Sequence, residues 1–469
     1  MVKLDATRDT HDASKAMLAS QATSGISAPD ATLESLNPAG KKKAKKEPIT
    51  ILSSLWALWR RILVFNVAAI IFVPLGILSH LLKWGDIATF VLNVFAIIPL
   101  AKVLDFSTDE LSKRVGETLG GLMNATFGNA VELIVGVLAL THGELEVVQG
   151  SLIGSVLSNL LLVLGFCFVC GGLFPKDRSV PLNQRYQTFS MDQVGVNTGL
   201  LALVFLGFII PAAFHIANPE AADKTVTISR LTAIILLLMY CLFIYTQISN
   251  SSSHVERVDI GKDEEAIEQA VVAVVEESAE EVMDLVEPEV SHHHVTVKED
   301  ENGKDEDDDD DEDDEPETLA FISVLALLAA TVIIGICAEF LVSSLDGLAT
   351  DAGISKTFVG VVLLPIVGNA AEHVTAVSAA MRDKMDLVIS VAIGSSIQIS
   401  LLVAPFLVLV GWMIGQPLTL DFHVFESTVL FVSIFTVSTL ISDGKTNYLE
   451  GALLLAAYLI IAIAFFYVV

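Results

Sequence analysis

The chain has 469 residues, 53% of them hydrophobic, and a mean hydropathy of +0.64. That is too apolar for a soluble domain of this size and points to many membrane spans. Its formal net charge of −29 is local, because residues 263–317 hold 26 carboxylates against Lys298 and Lys304; no basic stripe is left to meet phosphates, which excludes a nucleic-acid partner.

The first 50 residues are polar, and residues 1–60 read as a disordered cytosolic arm. The arm carries the basic juxtamembrane cluster Lys41-Lys42-Lys43-Ala44-Lys45-Lys46, reinforced by Arg60 and Arg61. No cleavable signal peptide is visible, so the first span, within 61–84, is expected to act as the insertion signal. Eleven spans are predicted: 62–82, 86–106, 117–140, 147–173, 195–217, 227–249, 318–342, 355–381, 385–412, 421–442 and 447–468. Lys113, Arg114, Lys176, Arg178, Arg185, Arg382, Lys384 and Lys445 all fall in loops on one side, with Lys224 and Arg230 the main exceptions. By the positive-inside bias that side is the cytosol, which places the N-terminus inside and the C-terminus in the lumen.

The third span contains Gly128-Asn129-Ala130-Val131-Glu132, which returns in the eighth as Gly368-Asn369-Ala370-Ala371-Glu372, an offset of 240 residues. Ile153-Gly154-Ser155 in the fourth span returns as Ile393-Gly394-Ser395 in the ninth, at the same offset. Two anchors at one offset mark a duplication. With the first span set aside, 85–250 and 318–469 form two five-helix repeats. Five is odd, so the second enters the membrane inverted, as in secondary transporters whose ion site lies between the repeats.

Between the repeats lies an acidic cytosolic segment, 251–317. Its first half alternates apolar residues with Glu264, Glu268, Glu277, Glu281 and Asp284 at helical spacing, which predicts an amphipathic acidic helix. Residues 305–315 are eleven consecutive carboxylates and are expected to be disordered by self-repulsion. His292-His293-His294 alone make a weak metal signal.

A carboxylate within a span is costly and is kept mainly for ion or proton handling. Glu132 and Glu372 have no Lys or Arg at mid-depth in a predicted span to pair with. Asn124, Gly128 and Glu132 share a helix face by their i, i+4, i+8 spacing, with Asn129 on a neighbouring row. Pro365 frees carbonyls in the turn before it. Carbonyls, Asn oxygens and carboxylates make the all-oxygen shell that Ca²⁺ prefers. Ser155, Ser158 and Asn159 in the fourth span, and Ser395 and Gln398 in the ninth, either support this pathway or pack helices together. His373 has Leu133 as its counterpart; a proton-linked role and a packing role stay open. Two ionised carboxylates neutralise one divalent cation, and without it their repulsion in a low dielectric favours protons in its place. Cation and proton then compete for the same oxygens, which under alternating access gives antiport. The Cys167-x-x-Cys170 pair reads as small packing residues rather than a redox or zinc site.

The stretches GLMNATFGNAVELIVGVLAL (121–140), SLIGSVLSNLLLVLG (151–165), LLPIVGNAAEHVTAV (363–377) and IGSSIQISLLVAP (393–405) closely resemble the paired signature repeats of vacuolar Ca²⁺/H⁺ exchangers, within the calcium/cation antiporter superfamily. The resemblance covers about residues 60–469. It implies an all-α membrane protein of the vacuole, with Glu132 and Glu372 as the carboxylates that bind Ca²⁺ or H⁺. Asn129 and Asn369 would assist coordination, Gln149 and Gln398 would line the pathway, and the acidic helix would sit at the cytosolic entrance.

The expectation is therefore a secondary antiporter that moves cytosolic Ca²⁺, or another divalent such as Mn²⁺, against lumenal H⁺. No cofactor is expected and Ca²⁺ is the substrate; the bilayer is the partner, and homo-oligomerisation is left open. The alternatives are a Na⁺-coupled exchanger of the same superfamily or a cation channel. An enzyme is not expected: no DKTG loop supports a P-type ATPase, and no HExxH or GxGD motif supports an intramembrane protease.

Overall fold

A computed structural model describes residues 50–61, 63–115, 117–174, 181, 185–247 and 316–467, and among them ordered structure is almost entirely helical. The acidic residues Glu264, Glu268, Glu277, Glu281 and Asp284, the 305–315 run and residues 1–49 lie outside the described residues.

The end of the expected disordered arm is in fact a helix, α1 (Ile51–Arg61). Thr50 and Ser53 cap its start reciprocally, Thr50 N donating to Ser53 Oγ at 2.8 Å and Ser53 N to Thr50 Oγ1 at 3.2 Å. Asn66 Nδ2 on the next helix satisfies the carbonyls of Leu58 and Trp59 at its end, at 3.0 and 3.2 Å. A capped end of this kind stabilises a short helix that its polar upstream sequence does not announce.

There follow α2 (Leu63–Leu81), α3 (Asp86–Val115), α4 (Glu117–Gly128), α5 (Ala130–Thr141), α6 (Leu145–Leu173), α7 (Met191–Ala217) and α8 (Ala222–Gln247). After the insert come α9 (Ala320–Ser343), α10 (Leu345–Ala352), α11 (Lys356–Gly368), α12 (Ala370–Met381), α13 (Met385–Ile414), α14 (Val424–Leu440) and α15 (Tyr448–Tyr467). Among the described residues, eight helices are long and apolar enough to cross a membrane, or up to nine when α10 and α11, bent by 116°, count as one span. The expected third span is the pair α4 and α5, parted at Asn129, and the expected tenth, α14, has 17 residues.

Interior and periphery separate clearly. In the most apolar stretch of α6 83% is buried and in that of α13 56%, against 17% in α2. Apolar side chains exposed on a spanning helix face lipid, so α2 is peripheral and α6 central. Both central helices contain a π-helical turn, Ser158–Val163 in α6 and Ile399–Val403 in α13, close to the 240-residue offset of the motifs. A third π turn, Val359–Leu363, stands directly before Pro365 in α11. The proline has no amide to give to the turn before it, and the ladder there shifts by one residue.

The halves interleave. Helix α9 packs on α3, α15 on α6, and α6 crosses α11 where Gly150 and Gly154 face Val361. A Cβ on Gly154 would collide with the Val361 carbonyl and with Pro365, so only glycine allows this crossing. Outside the helices, β1 (Gln187–Thr188) pairs antiparallel with β2 (Lys445–Thr446), Gln187 opposite Thr446 and Thr188 opposite Lys445. Gln187 Nε2 also donates to Ala380 O at 3.1 Å and to Asp383 Oδ1 at 3.2 Å. The four cysteines are free; Cys167 is buried in α6.

Candidate functional site

Gly128 and Asn129 are weak helix formers, and the chain turns at Asn129 between α4 and α5; it turns again at Asn369 between α11 and α12. Glu132 and Glu372 therefore sit in the first turns of α5 and α12. A helix N-terminus carries partial positive charge, which favours a carboxylate there. The expected common face of Asn124, Gly128 and Glu132 is lost at this break. Asn124 and Gly128 line one cavity and Glu132 another.

The two asparagines at the breaks reach across to the opposite repeat. Asn129 Nδ2 donates to Gln398 Oε1 at 2.7 Å, and Asn369 Nδ2 donates to Ser155 O at 3.2 Å. Each motif is thus held by the span that follows the other motif. Ser395 Oγ donates to Glu372 Oε1. His373 Nδ1 bonds to Asn369 O at 2.7 Å, while its Nε2 is buried without a partner.

The carboxylates differ sharply in surroundings. Glu372, with Gly128, Asn124, Ser395 and Gln398, lines a cavity of about 600 Å³. Glu132, with Ser155 and Gly368, lines one of about 20 Å³, room for roughly one water. A Cβ on Gly368 would collide with the Glu132 carboxylate, whereas nothing lies within 4 Å of the corresponding position on Gly128. Gly154 and Gly394 repeat the contrast, the first covered by Val361 and Pro365 and the second open. One half is closed around its carboxylate and the other is open.

Ser158 and Asn159 are buried at the π turn of α6 and line neither cavity, but the Asn159 side chain lies against the Glu372 carboxylate. Gln149 points away from both cavities, its Nε2 donating to Thr419 O at 3.0 Å and Asp421 O at 3.1 Å. Sequence reasoning missed Lys102, Asp105, Thr108, Asp109 and Thr375, all of which line the Glu372 cavity. Lys102 lies inside the predicted second span, close to its end, and one lysine among so many apolar residues leaves the hydropathy signal intact.

Glu132 Oε2, Glu372 Oε2, Asn369 Oδ1, Asn159 Oδ1 and Ser158 Oγ are buried with no hydrogen-bond partner. Orphaned buried oxygens are costly and call for a missing positive partner, a proton or a hard cation. No group of three or more His, Cys, Asp or Glu that could hold a metal occurs among the described residues. The unpaired oxygens are carboxylate, amide and hydroxyl oxygens, the donor types that a hard cation accepts.

The profile of the family described as sodium/calcium exchanger protein matches residues 86–249 and 322–467. A vacuolar calcium ion transporter of Schizosaccharomyces pombe is 43% identical over 402 residues, covering 85% of this chain and 84% of that protein. A Ca²⁺/H⁺ antiporter of Aphanothece halophytica is 37% identical over 399 residues, covering 85% and 95%. Among solved structures, native YfkE superposes with a TM-score of 0.65 at 29% identity, over 86% of this chain and 100% of that one. A selenium-substituted crystal structure names YfkE a Ca²⁺/H⁺ antiporter.

Proposed function

Since the chain belongs to the sodium/calcium exchanger protein family, we propose that it is a secondary active antiporter exchanging cytosolic Ca²⁺ for lumenal H⁺ across the vacuolar membrane. The relatives named as vacuolar calcium transporters and Ca²⁺/H⁺ antiporters support that substrate pair and that membrane. The loop charges support an odd number of crossings, with the N-terminus cytosolic, the C-terminus lumenal and the two repeats inverted.

The observation that carries the mechanism is the inequality of two equivalent carboxylates: Glu372 opens on a cavity of about 600 Å³ and Glu132 is sealed against Gly368. In this reading the structure is one end state, with the Glu372 cavity facing the cytosol. Ca²⁺ enters there, meets Glu372 and the oxygens around it, and is shared with Glu132 as the cavity narrows. In the opposite state Glu132 opens and Glu372 is covered. Protons from the acidic side then take the carboxylate oxygens, release the cation and ride back, because two bare like charges in a dry site are too costly to carry across empty. Asn129 and Asn369, each bonded to the other repeat, position the two helix breaks during the exchange.

The test is Ca²⁺ uptake into acid-inside vesicles holding the purified protein, with and without a protonophore. Uptake is expected to collapse with the pH gradient and to fall to background in Glu132→Gln and in Glu372→Gln. Uptake that ignores the pH gradient and follows a Na⁺ gradient would place the chain on the sodium-coupled branch. Undiminished flux in both variants would remove the carboxylates from the mechanism.

A further inference from the structure

Among the residues lining the Glu372 cavity, Lys102 is the basic one. Its ammonium is held at two points, 2.7 Å from Asp105 Oδ2 on its own helix α3 and 2.9 Å from Thr375 Oγ1 on α12 of the other repeat. Thr375 in turn donates to Ala371 O at 3.1 Å, so its oxygen accepts from the lysine. Thr375 follows Glu372 by three residues, which puts the ammonium about one helical turn from that carboxylate along the same wall. The lysine side chain is 18% exposed and that of Asp105 47%. The neighbouring Asp109 is engaged elsewhere, with Lys113 at 3.2 Å.

A strut between α3 and α12 needs no charge at this place. What the lysine takes, a carboxylate and a hydroxyl oxygen at the side of the cavity leading to Glu372, is the donor type that a hard cation seeks. The structure thus holds an internal cation where an arriving one would first be coordinated.

We propose that Lys102 is a tethered cation that occupies an outer cation position made by Asp105 and Thr375, and that an incoming divalent ion displaces it on the way to Glu372. The proposal rests on the exchange reading above. Its physical content is selectivity and turnover. A monovalent ion that replaces the ammonium on Asp105 exchanges one unit charge for another and gains no Coulomb energy. A divalent ion gains a unit. With the lysine present the outer position holds Ca²⁺ weakly enough to pass it on, the condition for any multi-site pathway.

Ca²⁺ binding to the purified full-length protein, and gradient-driven Ca²⁺ uptake in vesicles, test this with variants of opposite sign. Lys102→Gln leaves Asp105 uncompensated and is expected to lower the half-saturating Ca²⁺ on the order of tenfold in choline chloride. Replacing choline by K⁺ at the same ionic strength is expected to undo that gain in the variant and to leave the parent unmoved. Asp105→Asn is expected to raise half-saturation by a similar factor, and Lys102→Arg, which keeps the charge, to restore the parental value. Shifts of the same sign in Lys102→Gln and Asp105→Asn, or loss of maximal rate at constant half-saturation, would show a mere strut and overturn the proposal. If the parent shows no gradient-driven uptake, the exchange reading fails by itself, and the opposite binding shifts still decide the role of Lys102.

Discussion

Gly128 and Gly368 hold the same place in the two motifs, and their surroundings record which side of the molecule is open. The Glu132 carboxylate lies where a Gly368 side chain would be, while Gly128 faces the cavity. If the halves exchange roles during transport, Gly128 is covered by Glu372 in the other state. A methyl group at either position then opposes one state and spares the other. Gly368→Ala is expected to disfavour the observed state by about 1–3 kcal/mol, the usual cost of overpacking, and Gly128→Ala to favour it. A cysteine at Asn124, which lines the open cavity, reports the difference in a background lacking the four native cysteines. Its modification by a water-soluble thiol reagent is expected to slow roughly tenfold or more in Gly368→Ala and to quicken in Gly128→Ala. Equal rates in the two variants would mean that the glycines do not report on state.

At the scale of elements, the breaks and π turns carry the design. Helix α6 comes within backbone contact of α11 at Gly154, so Gly154→Val is expected to lower the melting temperature of the detergent-solubilised protein by roughly 5–10 °C. Gly394→Ala, in open space, is expected to leave it within about 2 °C. Much of this framework is legible in the amino-acid sequence. The 240-residue offset of the two motifs reappears as helix breaks at Asn129 and Asn369, and Pro365 announces a disturbed turn. The continuity assumed across 117–140 is not borne out, because hydropathy responds to side chains and is blind to one glycine-asparagine turn. Nor could near-identical motifs foretell that one carboxylate is sealed and the other open. In the proposed exchange cycle that difference belongs to one state of the molecule, and the duplicated sequence encodes both. Lys102 escaped notice for another reason: its partners Asp105 and Thr375 are 3 and 273 residues away, and only the fold brings the second one near.

For the whole molecule the two repeats are less separable than their order along the chain implies. Helix α9 belongs to the second repeat and packs on α3 of the first; α15 packs on α6; Asn129 and Asn369 each bond across. The ribbon of β1 and β2 ties residues 187–188 to 445–446, and Gln187 reaches on to Ala380 and Asp383. The covalent link through the acidic segment is therefore one connection among many. A chain cut between residues 250 and 316 is expected to remain one particle: fragments 1–250 and 316–469, expressed together with an affinity tag on the first alone, should be captured as a pair in mild detergent. Recovery of the tagged fragment alone would show that the linker is what holds the halves. Two genes, one encoding residues 1–250 and the other residues 316–469, would then suffice to assemble this fold, and the acidic segment would be free to diverge without the fold constraining it.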